Sequence, residues 1–180
     1  MREVSGPKAF ATQRIRKDTV LSAFRLLVDE NMMRHIQCCT ETVARERLGD
    51  ESWSVSLDEL DAVIGILYAR GIYGASKFDL KSLWSQPWGP NFFAETMSRD
   101  RFTDIMRFLR FDVKQTRSLR LQTDKFALAS EIWNRLINNS ILCYKPGENI
   151  TIDEQHFPTK ARCRFTQYIA SKPDKYGIKF

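Results

Sequence analysis

Apolar residues along this chain recur at helical spacing as far as Pro146 and at alternate positions beyond it. From Thr19, the residues Leu21, Phe24, Leu27 and Val28 share one helix face, with Asp18 or Thr19 placed to cap it. A second helical stretch runs to about Arg47, where Gly49 supplies the residue type that best takes left-handed backbone at a helix end. Ser56-Leu57-Asp58-Glu59 reads as a capping box, in which the serine and glutamate side chains satisfy each other's backbone amides. The helix it opens carries Leu60, Val63, Ile64 and Leu67 on one face and ends at Gly71. Between residues 71 and 97 the pattern breaks. Gly71, Gly74, Pro87, Gly89 and Pro90 punctuate Leu83, Trp84, Trp88, Phe92 and Phe93, which predicts short helices and loops pinned by aromatic packing. A stacking platform for bases is the other use such rings have.

Ser98 is placed to cap a further helix, with Phe102, Ile105, Met106 and Leu109 as its buried stripe and Arg99, Arg101, Arg107 and Arg110 on the other face. Residues 111–125 read as a polar loop. Asp124 then precedes a helix with Ile132, Trp133, Leu136, Ile137 and Ile141 inward, ended by Pro146-Gly147. After that the period falls to two. Ile150 and Ile152 alternate with Thr151 and Asp153, Cys163 to Ile169 is a second strand, and Tyr176, Ile178 and Phe180 alternate with Lys175, Gly177 and Lys179. Connections this short predict an antiparallel meander. The expected fold class is therefore α+β: a loose basic lead-in over 1–18, a helical domain over 19–146, and the opening three strands of a further domain over 147–180.

Composition narrows the function classes. An apolar fraction of 43% with 28% charged residues fits a packed globular chain rather than a disordered one. The net charge of +6 suits an anionic partner such as nucleic acid. Cys38, Cys39, Cys143 and Cys163 have neither zinc-finger spacing nor the look of a disulfide framework, so a reducing compartment is expected, and His35 reads as a surface or core residue. No signal-peptide core and no apolar run of about 18 residues is present, so no membrane span is expected.

The candidate chemistry lies in Thr151-Ile152-Asp153-Glu154-Gln155 and the basic sequence behind it. On a strand Asp153 and Glu154 point to opposite faces, so one acid is the candidate metal ligand and the other a supporting group. One carboxylate does not hold a two-metal site, and no earlier acid offers itself as a partner. Asp100, Asp104 and Asp112 are spaced for salt bridges to the arginines on a solvated face, while Asp58, Glu59 and Asp61 complement a helix dipole. Lys160, Arg162 and Arg164 in the hairpin, with Lys172 and Lys175 at the next turn, either position a phosphate backbone or serve as an edge that discourages aggregation.

Several runs together resemble the piggyBac transposase family. They are Met97-Ser98-Arg99-Asp100-Arg101-Phe102, Leu109-Arg110-Phe111-Asp112, Ile132-Trp133, Tyr144-Lys145-Pro146-Gly147, Thr151 to Gln155, Arg162-Cys163-Arg164-Phe165, and Lys172 to Lys179. The resemblance is strong from about residue 97 and looser upstream. It implies a helical dimerisation and DNA-binding domain followed by an RNase H-like catalytic domain opening on three antiparallel strands. It implies metal-dependent cutting and joining of DNA at transposon ends, by a homodimer in the nucleus, with Mg2+ or Mn2+. Asp153 matches the first catalytic, metal-binding acid, and Lys160 and Arg162 match basic positions near the transposon end. Ser171 stands where the family has Asn, and His156 where an apolar residue is common. The family's other catalytic acids lie beyond the position of Phe180. The expectation is a transposase fragment, catalytically inactive alone, or alternatively a non-enzymatic DNA-binding or dimerising protein derived from a transposon.

Overall fold

The computed structural model describes residues 4–17, 19–151, 153, 155–159, 163 and 165–179. In chain order, strand β1 (Gly6–Pro7) is followed by helices α1 (Ala9–Arg14), α2 (Val20–Leu27), α3 (Glu30–Leu48), α4 (Leu57–Ile72), α5 (Leu80–Leu83), α6 (Asn91–Thr96), α7 (Arg99–Phe108), α8 (Arg117–Arg120) and α9 (Ser130–Cys143). Strands β2 (Tyr144–Lys145), β3 (His156–Pro158), β4 (Thr166–Tyr168) and β5 (Tyr176–Lys179) complete the chain. The class is α+β, as the pattern of periods predicts. Two compact units result: Glu30–Lys114, and Met1–Asp29 together with Gln115–Phe180. The break in period near residue 147 thus falls inside the second unit.

In the Glu30–Lys114 unit, α3 packs against α4 and α7. Met32, Met33, Ile36 and Val43 of α3 meet Leu60, Val63 and Ile66 of α4 and Phe102, Ile105 and Phe108 of α7, all buried. Each such side chain contributes about 1.5–3 kcal/mol by leaving water. The capping box forms: Glu59 N donates to Ser56 Oγ at 3.1 Å and Ser56 N donates to Glu59 Oε2 at 2.9 Å. Glu59 also receives Arg101, through Nε at 2.6 Å and Nη2 at 3.0 Å, while that Nη2 donates to the Ser54 carbonyl at 2.6 Å. One carboxylate therefore starts α4 and ties it to α7. The guanidinium holds the Glu59 carboxyl below its usual range, against the opposing effect of burial.

Several expectations shift here by a fraction of a turn. Ile66 is buried on α4 where Ile64 and Leu67 were expected, and Leu67 is exposed. Contacts with α3 and α6 select that face from a broad apolar stripe. Gly71 does not end α4; the helix runs to Ile72, and Gly74 takes the left-handed backbone at φ 61°. On α7, Phe108 is buried and Met106 exposed. Arg101 is not on a solvated face, Asp104 accepts from Trp53 Nε1 at 3.0 Å, and Asp112 is buried. In the 71–97 stretch Leu83 and Phe93 serve the core, and Trp84 donates to the Met97 carbonyl at 2.8 Å, whereas Trp88 and Phe92 are exposed.

The other unit is built differently. Its first residues, expected to be loose, form β1 and α1. β1 pairs antiparallel with β2, and Lys8 N donates to the Cys143 carbonyl at 2.8 Å. Helices α1, α2 and α9 contact one another, and Asn139 Nδ2 donates to the Leu27 carbonyl at 3.0 Å and to Asp29 Oδ2 at 2.9 Å. The inward stripe expected on α9 is inward only in part: Ile132 and Leu136 are half-buried and Trp133 packs edge-on against Phe126, whereas Ile137 and Ile141 are exposed and Cys143 is the buried residue of that helix. Asp124 precedes α9, whose cap position is Ala129, and its carboxylate accepts from Phe126 N at 2.7 Å in a local turn. The expected polar loop over 111–125 contains a 3-10 turn and α8. All four cysteines are free.

Candidate nucleic-acid interface and its acid

The candidate site is organised by a small antiparallel sheet whose order is β3-β5-β4. A meander would place β4 in the middle; the third strand lies there instead. The register pairs His156 with Lys179, Phe157 with Ile178 and Pro158 with Gly177 on one side of β5. On the other side Thr166 pairs with Ile178, Gln167 with Gly177 and Tyr168 with Tyr176. β5 takes the centre because Gly177, at the crossing of all three strands, has no side chain. A Cβ there would lie 2.3 Å from His156 Nε2 and 2.4 Å from the Phe157 carbonyl oxygen.

The strand expected over 150–155 is not formed where the chain is described. Thr151, Asp153 and Gln155 lie outside any strand, while Ile152 and Glu154 lie outside the described residues. A strand exists only where a neighbour supplies ladder hydrogen bonds, and the β3–β5 ladder starts at His156. The second strand is likewise shorter than its sequence signal, covering Thr166–Tyr168 of the expected 163–169. Asp153 is therefore an exposed carboxylate on the approach to β3, three residues before the Lys179 pairing.

The cations fall at the other end of β5. Lys172 and Lys175 are exposed on the turn that enters it, where Ile169 N donates to the Lys175 carbonyl at 2.8 Å. Thr159 N donates to the Tyr176 carbonyl at 3.1 Å, so the segment leaving β3 starts beside that turn. A hollow of about 310 Å3 between Pro158, Thr159, Pro173 and Lys175 marks the junction. The expected cations Lys160, Arg162 and Arg164 belong to that segment but lie outside the described residues. The register thus gathers Lys172 and Lys175 at one end of β5 and leaves Asp153 at the other. Two further groups lie on the Asp153 side: Lys179, which the Lys175-Gly177-Lys179 alternation signals, and His156, whose Nε2 is buried without a hydrogen-bond partner among the described residues.

Charge follows the same division of the molecule. Met1–Asp29 with Gln115–Phe180 holds 17 Lys and Arg against 9 Asp and Glu, net +8, whereas Glu30–Lys114 holds 11 against 13, net −2. The overall +6 is therefore a property of the unit that carries the sheet. As a metal centre the arrangement is incomplete. No group of three or more His, Cys, Asp or Glu among the described residues is placed to hold an ion, and Asp153 offers a single carboxylate. These residues do not by themselves fit a divalent-metal site. Among the described residues no helix is long and apolar enough to cross a membrane.

Comparison with known proteins agrees with this picture. No curated protein matches the chain. A solved structure, the cryo-EM structure of a piggyBac transposase synaptic complex with hairpin DNA, superposes with a TM-score of 0.87 at 30% sequence identity. The match covers 98% of this chain and 37% of that one, so the chain spans little over a third of its relative's length. The family model for Transposase IS4 matches residues 20–180. Motif order, fold and family match coincide over nearly all of these residues, and the chain belongs to the Transposase IS4 family, with a piggyBac-type transposase as its structural relative.

Proposed function

We propose that this chain is the DNA-engaging part of a piggyBac-type transposase and that its β3-β5-β4 sheet lies along a DNA strand at a transposon end. The likeness to a transposase solved with hairpin DNA carries this reading. The charge division supports it: the net +8 unit is the one that holds the sheet. A strand of four residues is about 14 Å long, which matches about four nucleotide steps of one DNA strand. Lys172 and Lys175 would neutralise phosphates at one end of that length while Asp153 faces the backbone at the other. Lys160, Arg162 and Arg164 are proposed as further phosphate contacts.

Asp153 is proposed as one carboxylate of a divalent-ion site, Mg2+ or Mn2+, in an RNase H-like catalytic domain. Such an ion supplies Lewis acidity and an activated water for phosphodiester cleavage. The described residues provide one acid of the set, so DNA binding without strand cleavage is the reading for this chain by itself. A homodimeric enzyme working in the nucleus, where its DNA lies, completes the proposal.

The test is fluorescence anisotropy of the 180-residue chain on a hairpin DNA between 50 and 200 mM NaCl. Affinity should fall steeply with salt, and Lys172→Ala with Lys175→Ala should lower the log–log slope by about two. Asp153→Ala should leave binding unchanged. Binding that is flat in salt, or a double variant equal to the parent, would sink the interface. Magnesium-dependent nicking by this chain alone would sink the binding-only reading.

A further inference from the structure

Lys8 closes one helix and opens another. Its Nζ donates to the Ile141 carbonyl at 2.7 Å and its backbone N to the Cys143 carbonyl at 2.8 Å. Both acceptors lie in the last turn of α9, where carbonyls find no partner within their own helix. That turn, Ser140-Ile141-Leu142-Cys143, carries no basic residue of its own. The cation that suits the negative end of the helix dipole comes instead from 133 positions away. The Lys8 carbonyl in turn accepts from Ala11 N at 2.8 Å and Thr12 N at 3.1 Å, which starts α1.

The residues before Lys8 hold the chain just past that helix end. Gly6 pairs with Lys145 and Pro7 with Tyr144. A Cβ on Gly147 would meet the Ser5 Cβ at 3.6 Å, so Ser5 lies over Gly147. Residues 5–8 thus form a strap across 141–147, the stretch by which the chain leaves α9 for Asp153. The strap's own ladder is weak. It is two residues long, one of them a proline with no N–H to give, and Gly6 sits at φ 146°, an ordered state that costs glycine more freedom than any other residue. Packing adds little: among the described residues this unit buries Ala11, Ala127 and Cys143 as its hydrophobic core.

What remains to hold the strap is the ammonium group of Lys8, which stands exposed at the helix end. We propose that residues 5–8 are a strap latched by the charge of Lys8, and that neutralising this one group opens the exit from α9 while both units stay folded. A charged donor at helix-end carbonyls is held by the dipole as well as by its hydrogen bond, and a neutral side chain keeps at most the bond. The stretch released is the one that leads to Asp153. The strap's bearing on chemistry therefore rests on the proposed role of that acid, whereas the latch itself does not.

The test is the alkylation rate of each cysteine by N-ethylmaleimide in the 180-residue chain, read by peptide mass spectrometry. Cys143, whose carbonyl the strap holds, is 7% exposed and reports the latch. Cys39, 5% exposed in the other unit, reports global opening, and exposed Cys38 sets the fast limit. Lys8→Gln should raise the Cys143 rate about fivefold, within the range that one cation at a helix end supplies, and leave Cys39 unchanged. Lys8→Arg, which keeps the charge, should stay near the parent. An unchanged Cys143 rate in Lys8→Gln, an equal rise at Cys39, or an arginine variant as reactive as the glutamine one would each overturn the proposal. No DNA enters the measurement, so its result stands whether or not the sheet binds DNA.

Discussion

The two units of this protein spend their apolar residues in opposite ways. Of the 21 buried hydrophobic residues among those described, 18 lie in Glu30–Lys114; the other unit buries Ala11, Ala127 and Cys143. That second unit leaves Leu21, Trp133, Ile137, Ile141 and Leu142 exposed although its helices touch. It also carries the positive charge, net +8 against −2. The buried apolar core and the net positive charge therefore fall in different units. The acidic unit holds a core that large side chains fill, and the basic unit presents surface.

Core substitution tests the contrast most strongly. Phe93→Ala or Phe108→Ala, each removing a fully buried ring, should destabilise the protein by about 3–5 kcal/mol in urea unfolding. Ile141→Ala, at an exposed position in the basic unit, should cost about 1 kcal/mol or less. Equal losses would mean that the apolar face of α9 is covered after all. A smaller effect, about 1–3 kcal/mol, is expected from Gly177→Ala, whose methyl group would push β3 off β5. Loss of β3–β5 amide protection in hydrogen exchange, with α3 and α7 unaffected, would confirm that the damage stays in the basic unit.

The Glu59–Arg101 clamp sharpens the comparison from the other side. Arg101→Ala should cost about 2 kcal/mol, since it removes charge-assisted bonds to Glu59 and the bond to the Ser54 carbonyl. The folded-state pKa of Glu59 is depressed, chiefly by its hydrogen bonds to Arg101, so its stabilisation is present above the ordinary carboxylate value and is lost as pH falls through the lower folded value. Urea midpoints taken from pH 6 down to pH 3 should therefore fall more in the parent than in Glu59→Gln. Parallel curves would show that the clamp is not the acid-sensitive element.

How far the fold could be read in advance depended on where the information sits. The Ser56–Glu59 capping box, the Gly49 helix end at φ 65° and the Ser98 cap, which accepts from Arg101 N, are local chemistry and appear where the sequence places them. Which face of α4 turns inward is decided by α3 and α6, and the pattern alone missed it by a residue or two. The same limit explains α9: an amphipathic stripe signals a face that can be buried, and there Ile132 and Leu136 are half-buried while Ile137 and Ile141 stay exposed. At the candidate site, the strand character of β5 was legible as alternation, but its central place was not. Nothing in the spacing of Ile150, Thr166 and Tyr176 says that the last strand divides the first two. As a result the separation of Asp153 from Lys172 and Lys175 emerges only from the register.

The central place of β5 also bears on how the chain comes to be folded. Among the described residues β3 and β4 hydrogen-bond to β5 and not to one another. A ribosome releases them first, and each waits without a ladder partner until residues 176–179 have left the exit tunnel. Sheet formation is then one late event that closes both ladders together, while α3, α4 and α7 can condense earlier on contacts already synthesised. In the interval the exposed strand edges at Phe157 and Tyr168 are surfaces that a chaperone would need to shield.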